Sequence, residues 1–392
     1  MSETTKTPWG ILTGIRPAKL ATKLLREGKT DKDVMDYFLN ECGTTPEKAA
    51  LALETAKAEM PVEDAMDKDG ISLYVGIPFC PTRCLYCSFV TCGTRQAAKL
   101  IPEYLECLKK EIAFAGKLTA DNGKHLETVY IGGGTPTTLS ADQLHELLSQ
   151  IEDSFALSSC KEFTVEAGRP DTVTAEKLKT LRQHGVNRIS INPQSMNTET
   201  LHTIGRAHTP DDIRGAMELA RDCGFDCINM DVIAGLPGET FEMFRYTMEE
   251  VEKLKPENTT VHTMSIKRSS RLHEYLGDYA LTDGAQVETM VDFAYRYMKE
   301  LGKHPYYMYR QKNQLGNLEN VGYCKPGTEN LYNIYIMEEL QTILSVGCGG
   351  VTKTVDPVKN KIERIFNVKE PQDYIARLDE MIDRKKNMFE EL

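Results

Sequence analysis

The residues with the clearest chemistry are three cysteines in the segment Tyr74-Val-Gly-Ile-Pro-Phe-Cys80-Pro-Thr-Arg-Cys84-Leu-Tyr-Cys87. The spacing CxxxCxxC puts three thiolates on one short loop, enough to hold three irons of a cubane cluster whose usual complement is four ligands. The fourth iron then stays open, as a catalytic zinc keeps one position for water or substrate. Pro78 and Pro81 stiffen the loop. Other readings of the same thiols stand beside this one. A zinc site ordinarily uses two CxxC or Cys/His pairs, and no second pair lies nearby. A Cys84–Cys87 redox dithiol leaves Cys80 unexplained, and buried cysteines also cluster by chance. The chain has 11 cysteines, an odd number, so a complete disulfide framework is not expected.

Such a loop needs a scaffold. From Ile71 onward, β-rich runs recur at Ile71–Ile77, Thr128–Ile131, Glu162–Glu166, Arg188–Asn192, Cys227–Ile233 and Thr259–Ile266. Helical stretches separate most of them: Ala97–Leu118, Ala141–Phe155, Ala175–His184, Pro210–Cys223 and Thr240–Leu254. Strands alternating with helices of this length predict βαβ units around a parallel sheet. Six units suit an incomplete barrel or an open doubly wound sheet, and the period does not choose between them. Ser140, Thr174, Thr209 and Glu239 stand near helix starts, where capping side chains are expected.

Three domains are expected. Residues 1–68 read as an N-terminal helical segment, with Pro61 and the charged run Glu63–Asp69 as a linker. Residues 69–283 carry the alternation. Residues 284–392 read as a smaller domain or lid, with a helix (Gly284–Leu301), an aromatic segment (His304–Gln311), a Gly/Asn-rich stretch, strand-like runs at Thr342–Val346 and Lys361–Val368, and a charged terminal helix.

Further polar residues fall at the ends of these strands. Gly132–Gly134 end the second strand and allow backbone amides to approach a polar ligand. Glu166 ends the third strand, Gln194 follows the fourth and Asp231 lies on the fifth. In a parallel barrel that end faces the active site. Arg206 offers the planar, bidentate match to a carboxylate that an ammonium lacks.

These residues carry a resemblance. CxxxCxxC with Tyr86 before the last cysteine is similar to the radical S-adenosylmethionine (radical SAM) superfamily. The segments Tyr74-x-x-Ile-Pro-Phe-Cys80, Gly132-Gly-Gly-Thr-Pro-Thr137, Glu166, Gln194-Ser195, Arg206 and Asp231-x-x-x-Gly-Leu-Pro-Gly-Glu-Thr240 resemble the oxygen-independent coproporphyrinogen III oxidase family, and Pro305–Gly327 resembles its coproporphyrinogen dehydrogenase-like branch. The resemblance implies an α/β fold: an incomplete (βα)6 TIM-like radical SAM barrel with an N-terminal helical extension and a small C-terminal α+β domain. It implies a 4Fe-4S cluster on Cys80, Cys84 and Cys87. It implies S-adenosyl-L-methionine contacts from Tyr74, Tyr86, Gly133, Gly134, Thr135, Glu166, Gln194, Arg206 and Asp231. The implied reaction is oxidative decarboxylation of coproporphyrinogen III to protoporphyrinogen IX in haem biosynthesis, with an electron donor such as flavodoxin or ferredoxin. Two departures stand out. Typical oxidase members carry a histidine where this chain has Gly76, and a fourth cysteine just past the third, where this chain has Ser88 and no cysteine before Cys92. Relatives that lack that cysteine resemble haem-trafficking proteins, so a haem carrier, or a radical enzyme on another tetrapyrrole, are the alternatives.

A tetrapyrrole bearing four propionates calls for cations on an aromatic surface. Arg268, in Lys267-Arg268-Ser-Ser-Arg271, and Arg310, in Tyr306-Tyr-Met-Tyr-Arg310-Gln-Lys312, are the expected carboxylate clamps. A net charge of -11 disfavours nucleic acid and anionic lipid. No apolar run approaches the roughly 20 residues of a membrane span, and no secretory signal is visible, so the expected location is the cytoplasm.

Overall fold

The computed structural model describes residues 7–14, 16–89, 94–311, 314–356 and 361–390. Cys92 and Lys312 lie outside the described residues. Six strands stand side by side in chain order and pair parallel: β1 (Gly70–Ile77), β2 (His125–Gly133), β3 (Glu162–Glu166), β4 (Arg188–Ser190), β5 (Ile228–Ala234) and β6 (Asn258–Thr263). Every residue of β1 is buried except half-buried Tyr74. That fits a parallel strand covered on both faces, which reads as a near-continuous apolar run.

The helices that follow β2, β3, β4 and β5 begin where the sequence provides caps. Ser140 and Thr209 form reciprocal capping boxes with Gln143 and Asp212, and Thr174 accepts from the Lys177 amide. Such a cap stabilises a helix by about 1 kcal/mol. The helix Phe241–Lys253 is capped by Thr240 rather than Glu239. The Glu239 carboxylate turns inward and accepts the Ser195 hydroxyl, which ties the turn after β5 to the one after β4.

The C-terminal residues extend this same sheet instead of building one of their own. β9 (Ile343–Val346) pairs parallel with β1, β10 (Val351–Asp356) and β11 (Lys361–Phe366) continue that edge antiparallel, and β7 (His304–Arg310) and β8 (Glu319–Cys324) extend the other edge beyond β6. The result is one sheet of 11 strands in the order β11-β10-β9-β1-β2-β3-β4-β5-β6-β8-β7. Its two ends do not join, so the barrel is partial. β8 falls inside the Gly/Asn-rich stretch, and β10 was not among the expected strands although four of its six residues are β-branched.

At the N-terminus the helices Pro17–Arg26, Asp31–Asp36 and Pro46–Asp64 pack on the β7 side. The third helix runs through Pro61, which sits in its last turn, where the missing N–H removes a single helical bond. The fully buried Trp9 donates to Glu319 Oε2 at 2.7 Å. The buried Lys48 ammonium lies 2.6 Å from Glu319 and 2.8 Å from Asp292. A buried charge is tolerated only when paired in this way.

Candidate functional site

At the C-terminal ends of the parallel strands the sheet opens into a cavity of about 820 Å³. Cys80, Cys84 and Cys87, carried by the loop after β1, line it. So do all nine expected cofactor residues: Tyr74, Tyr86, Gly133, Gly134, Thr135, Glu166, Gln194, Arg206 and Asp231. The cysteine loop is pinned from two sides. The Leu85 amide donates to the Ile204 carbonyl, and Arg83 donates to the Ser269 carbonyl. Cys80 Sγ lies 3.3 Å from Thr135 Oγ1. Burial pushes the Cys80 thiol up to about 11 and also raises Cys87. Buried thiols of this kind stay protonated on their own and ionise when a metal takes them.

The glycine turn after β2 is pressed against the cysteine loop. Gly133 has φ +110°, a region closed to most side chains, and a Cβ on Gly134 would come within 2.6 Å of the Phe79 carbonyl oxygen. The Gly134 and Thr135 amides donate to the Ile77 and Phe79 carbonyls at 2.7 and 2.8 Å, closing the turn onto the loop.

Three polar groups on the wall are left partly unsatisfied. Gln194 is held at φ +65° by a bridge to Val232, with its amide bonded to the Asp231 carbonyl, and its side-chain oxygen is buried without a hydrogen-bond partner. Strain at a non-glycine residue persists where the surroundings over-determine it, often at functional sites. Ser190 Oγ is likewise buried and unpartnered. Arg206 donates to the Asn192 carbonyl at 2.5 Å and reaches Tyr86 Oη at 3.4 Å, while its Nε has no partner.

Glu166 and Asp231 diverge. Burial, with the Asp231 charge adding to it, pushes the Glu166 carboxyl up to about 7 despite a 2.7 Å bond from the Tyr130 hydroxyl. Asp231 is equally buried, but His262, 3.7 Å away, and Asn229, donating at 2.7 Å, hold it below the usual carboxylate range. One wall therefore offers both a proton-bearing and an ionised carboxyl group near neutrality.

Gly76 packs under the loop 347–349, where a Cβ would meet the Cys348 carbonyl at 3.1 Å. The Tyr104 hydroxyl donates to the Gly76 carbonyl at 2.6 Å. A larger residue here would displace that loop.

The two expected clamps lie elsewhere. Arg310 does not line the cavity: its guanidinium donates to the Leu12 and Asn317 carbonyls and stacks over Trp9 at 5.6 Å, fastening the N-terminal loop. Arg268 is exposed and also lies off the wall. Its neighbour Lys267 is the one that enters, donating to Gln311 Oε1. A run of cations in sequence does not say which of them turns inward. The expected aromatic surface of the Tyr306–Tyr309 segment does reach the cavity through Tyr307 and Tyr309, whereas sequence reasoning missed Tyr130 and Tyr332. Tyr74, Tyr130 and Tyr332 form a stack, with Tyr130 and Tyr332 centroids 4.5 Å apart, and Tyr307 and Tyr309 line the cavity from β7. Tyr332 comes from the helix Leu331–Glu338, which closes over the cavity from the C-terminal part of the chain.

The donor set fits the implied group. Three thiols share one loop at the cavity wall. A close backbone turn, an unpartnered carboxamide oxygen and a half-used guanidinium can receive an amino acid, and Glu166 and Asp231 can receive hydroxyls.

Comparison with known proteins agrees with this geometry. Residues 74–251 match the radical SAM superfamily. The chain is 42% identical to the oxygen-independent coproporphyrinogen-III oxidase-like protein HemZ of Bacillus subtilis, over 98% of this chain and 77% of that one. It is 32% identical to the heme chaperone HemW of the same organism, over 75% of this chain and 76% of that one. Among solved structures, coproporphyrinogen III oxidase (HemN) from Escherichia coli shares the fold, with a TM-score of 0.64 at 24% identity over 83% of this chain and 73% of that one. Cavity, loop and likeness together assign the chain to the radical SAM superfamily and, within it, to the oxygen-independent coproporphyrinogen-III oxidase-like family.

Proposed function

We propose that the chain catalyses the oxygen-independent oxidative decarboxylation of coproporphyrinogen III to protoporphyrinogen IX. The observation that carries the reading is that one cavity is lined both by the cysteine loop with the glycine turn and by Tyr130, Tyr307, Tyr309, Tyr332 and Lys267. The cavity's volume lies near the upper end for ligand pockets. Cys80, Cys84 and Cys87 would hold the cluster. Arg206 would clamp the carboxylate of S-adenosylmethionine, with the Gly133–Thr135 turn and Gln194 on its amino group and Glu166 or Asp231 on its ribose. When bound, the pair supplies a reductively generated deoxyadenosyl radical that abstracts hydrogen. Two of the four propionates would each lose one hydrogen atom, carbon dioxide and one electron, the electron passing to an external acceptor, and become vinyl groups.

The chain's own residues bind and orient. The tyrosine wall offers flat faces to pyrrole rings, and Lys267 offers a cation for a propionate. Glu166, neutral for part of the time near pH 7, limits negative charge beside an anionic substrate. The cluster electron would come from a flavodoxin or ferredoxin. Among the described residues no helix is long and apolar enough to cross a membrane.

A second reading, a haem-binding chaperone, is favoured by the HemW likeness and by the absence of cysteine between Cys87 and Cys92. Anaerobic incubation with coproporphyrinogen III, S-adenosylmethionine and a reductant separates the two. Protoporphyrinogen detected by product mass supports the oxidase. Unchanged coproporphyrinogen, with one haem retained per chain, contradicts it.

A further inference from the structure

Away from the cavity, at the opposite end of the strands, a second set of metal-binding side chains comes together. Cys324 ends β8 and lies directly opposite His304, the first residue of β7, and opposite Asn258, the first residue of β6. The cavity wall uses the other end of these strands, at Thr263 and Asn320. Glu329 reaches back from the loop after β8. His304 Nε2 lies 3.6 Å from Cys324 Sγ and 3.1 Å from Glu329 Oε1, and the three ligand atoms all fall within 4.8 Å of one another.

We propose that His304, Cys324 and Glu329 form a binding site for a divalent zinc-like cation, independent of the radical chemistry. Thiolate, imidazole and carboxylate are zinc's ligand types. Around a tetrahedral ion with bonds of about 2.0–2.3 Å, neighbouring donor atoms stand roughly 3.3–3.8 Å apart. His304 Nε2 stands 3.1 and 3.6 Å from the other two donors, close to that range, so one imidazole nitrogen neighbours both. Cys324 is fully buried, whereas His304 and Glu329 are only half-buried, so an ion can enter from solvent and keep a water as fourth ligand.

The nearby cations do not fill the role of that ion. Lys303 is held by both carboxylate oxygens of Glu252 at 2.8 and 2.7 Å, and Lys325 pairs with Glu257 at 3.1 Å. Arg188 is committed to Glu162, Asn258 and the Thr328 and Glu329 carbonyls. An ion here would tie the β7–β8 hairpin to the 325–330 loop and, through it, to the helix that closes the cavity.

The test uses the full chain, purified anaerobically with its cluster, dialysed against zinc and passed over a chelating resin. Zinc and iron are then counted by mass spectrometry. The expected result is one zinc per chain. His304→Ala and Cys324→Ser should lose it with iron unchanged, their zinc affinity falling about 100-fold or more, beyond what a change outside the ligand set costs. Zinc should also raise the Tm of the parent and not that of Glu329→Gln, a variant that keeps the packing should Cys324→Ser fold poorly. A parent chain that retains no zinc overturns the proposal. So does zinc retained at the parent level by both His304→Ala and Glu329→Gln.

Discussion

Arg188, at the start of β4, and Arg206, in the loop after the helix Thr198–Thr203 at the cavity, are both buried arginines, and their guanidinium groups are partnered very differently. Arg188 faces Glu162 at 3.3 Å and donates to Asn258 Oδ1 at 2.7 Å and to the Thr328 and Glu329 carbonyls at 2.9 Å. Every nitrogen has a partner. Arg206, at the cavity, has one carbonyl, one long contact to a phenol and an unpartnered Nε. Around Arg188 the neighbours are complete; around Arg206 the Gln194 and Ser190 oxygens are also unpartnered. Leaving a buried polar group unmade costs about 1–3 kcal/mol, a cost that a ligand reaching Arg206, Gln194 and Ser190 would remove. The arginine at one end is saturated by the fold, and the arginine at the cavity keeps donor capacity for a ligand.

Four perturbations probe that contrast, from the largest expected effect to the smallest. Replacing any of Cys80, Cys84 or Cys87 by alanine is expected to abolish cofactor cleavage and strip most of the iron, read as lost brown absorbance under nitrogen. Full iron in all three variants would break the assignment of the binding end.

The arginine pair is the sharper probe. Arg206→Lys loses the bidentate match and should cut deoxyadenosine formation about 100-fold, equivalent to roughly 2–3 kcal/mol, with little change in urea midpoint. Arg188→Ala should do the reverse. It leaves the buried Glu162 without its counter-charge, held by the Leu331 and Tyr332 amides, at a cost of about 3–5 kcal/mol, while deoxyadenosine formed per folded chain stays at the parent level. Equal stability losses for both would erase the distinction between the ends.

Glu166 gives a pH signature. Its carboxyl is raised from 4.5 to about 7, chiefly by burial. The folded chain therefore holds this proton more tightly than the unfolded chain, and the stability so contributed is full below about pH 4.5 and is lost as pH rises through about 7. Glu166→Gln should flatten that fall and leave the variant relatively more stable than the parent at pH 8, measured by urea denaturation across the range. Parallel curves for variant and parent would remove Glu166 from the account.

Arg310→Ala should have the smallest effect on substrate. It should loosen the N-terminal loop, seen as faster amide exchange over residues 7–14, and leave the KM for porphyrinogen within about twofold, as for a surface change away from the site. A large rise in KM would return Arg310 to the substrate wall.

Much of the binding end was legible in sequence because its signals are local. The cysteine spacing, the glycine run and the single polar residues at strand ends each belong to one βα unit, and all twelve expected cluster and cofactor residues line the cavity. The substrate wall was less legible because it is assembled from distant segments. Tyr130 belongs to β2, Tyr307 and Tyr309 to β7, and Tyr332 to a helix whose place over the cavity is fixed when Glu162 accepts the Leu331 and Tyr332 amides. Arg268 and Arg310 show the same limit from the other side. Their charge was visible, but their direction depends on the Trp9 loop and on the turn at Ser270, which no local pattern encodes. β8 escaped because its pairing with β6, and not its composition, makes it a strand, whereas the β-branched run Val351–Val355 carried a local signal for β10 that went unread.

The central claim, that the binding end holds a cluster with one iron open to the amino acid part of a cofactor, is tested most directly by electron paramagnetic resonance of the anaerobically reduced chain with and without S-adenosylmethionine. Adding it should shift the cluster signal in the parent and in Arg188→Lys, and should do so weakly or not at all in Arg206→Lys. A reduced cluster whose spectrum is unchanged by saturating S-adenosylmethionine in the parent would contradict the account.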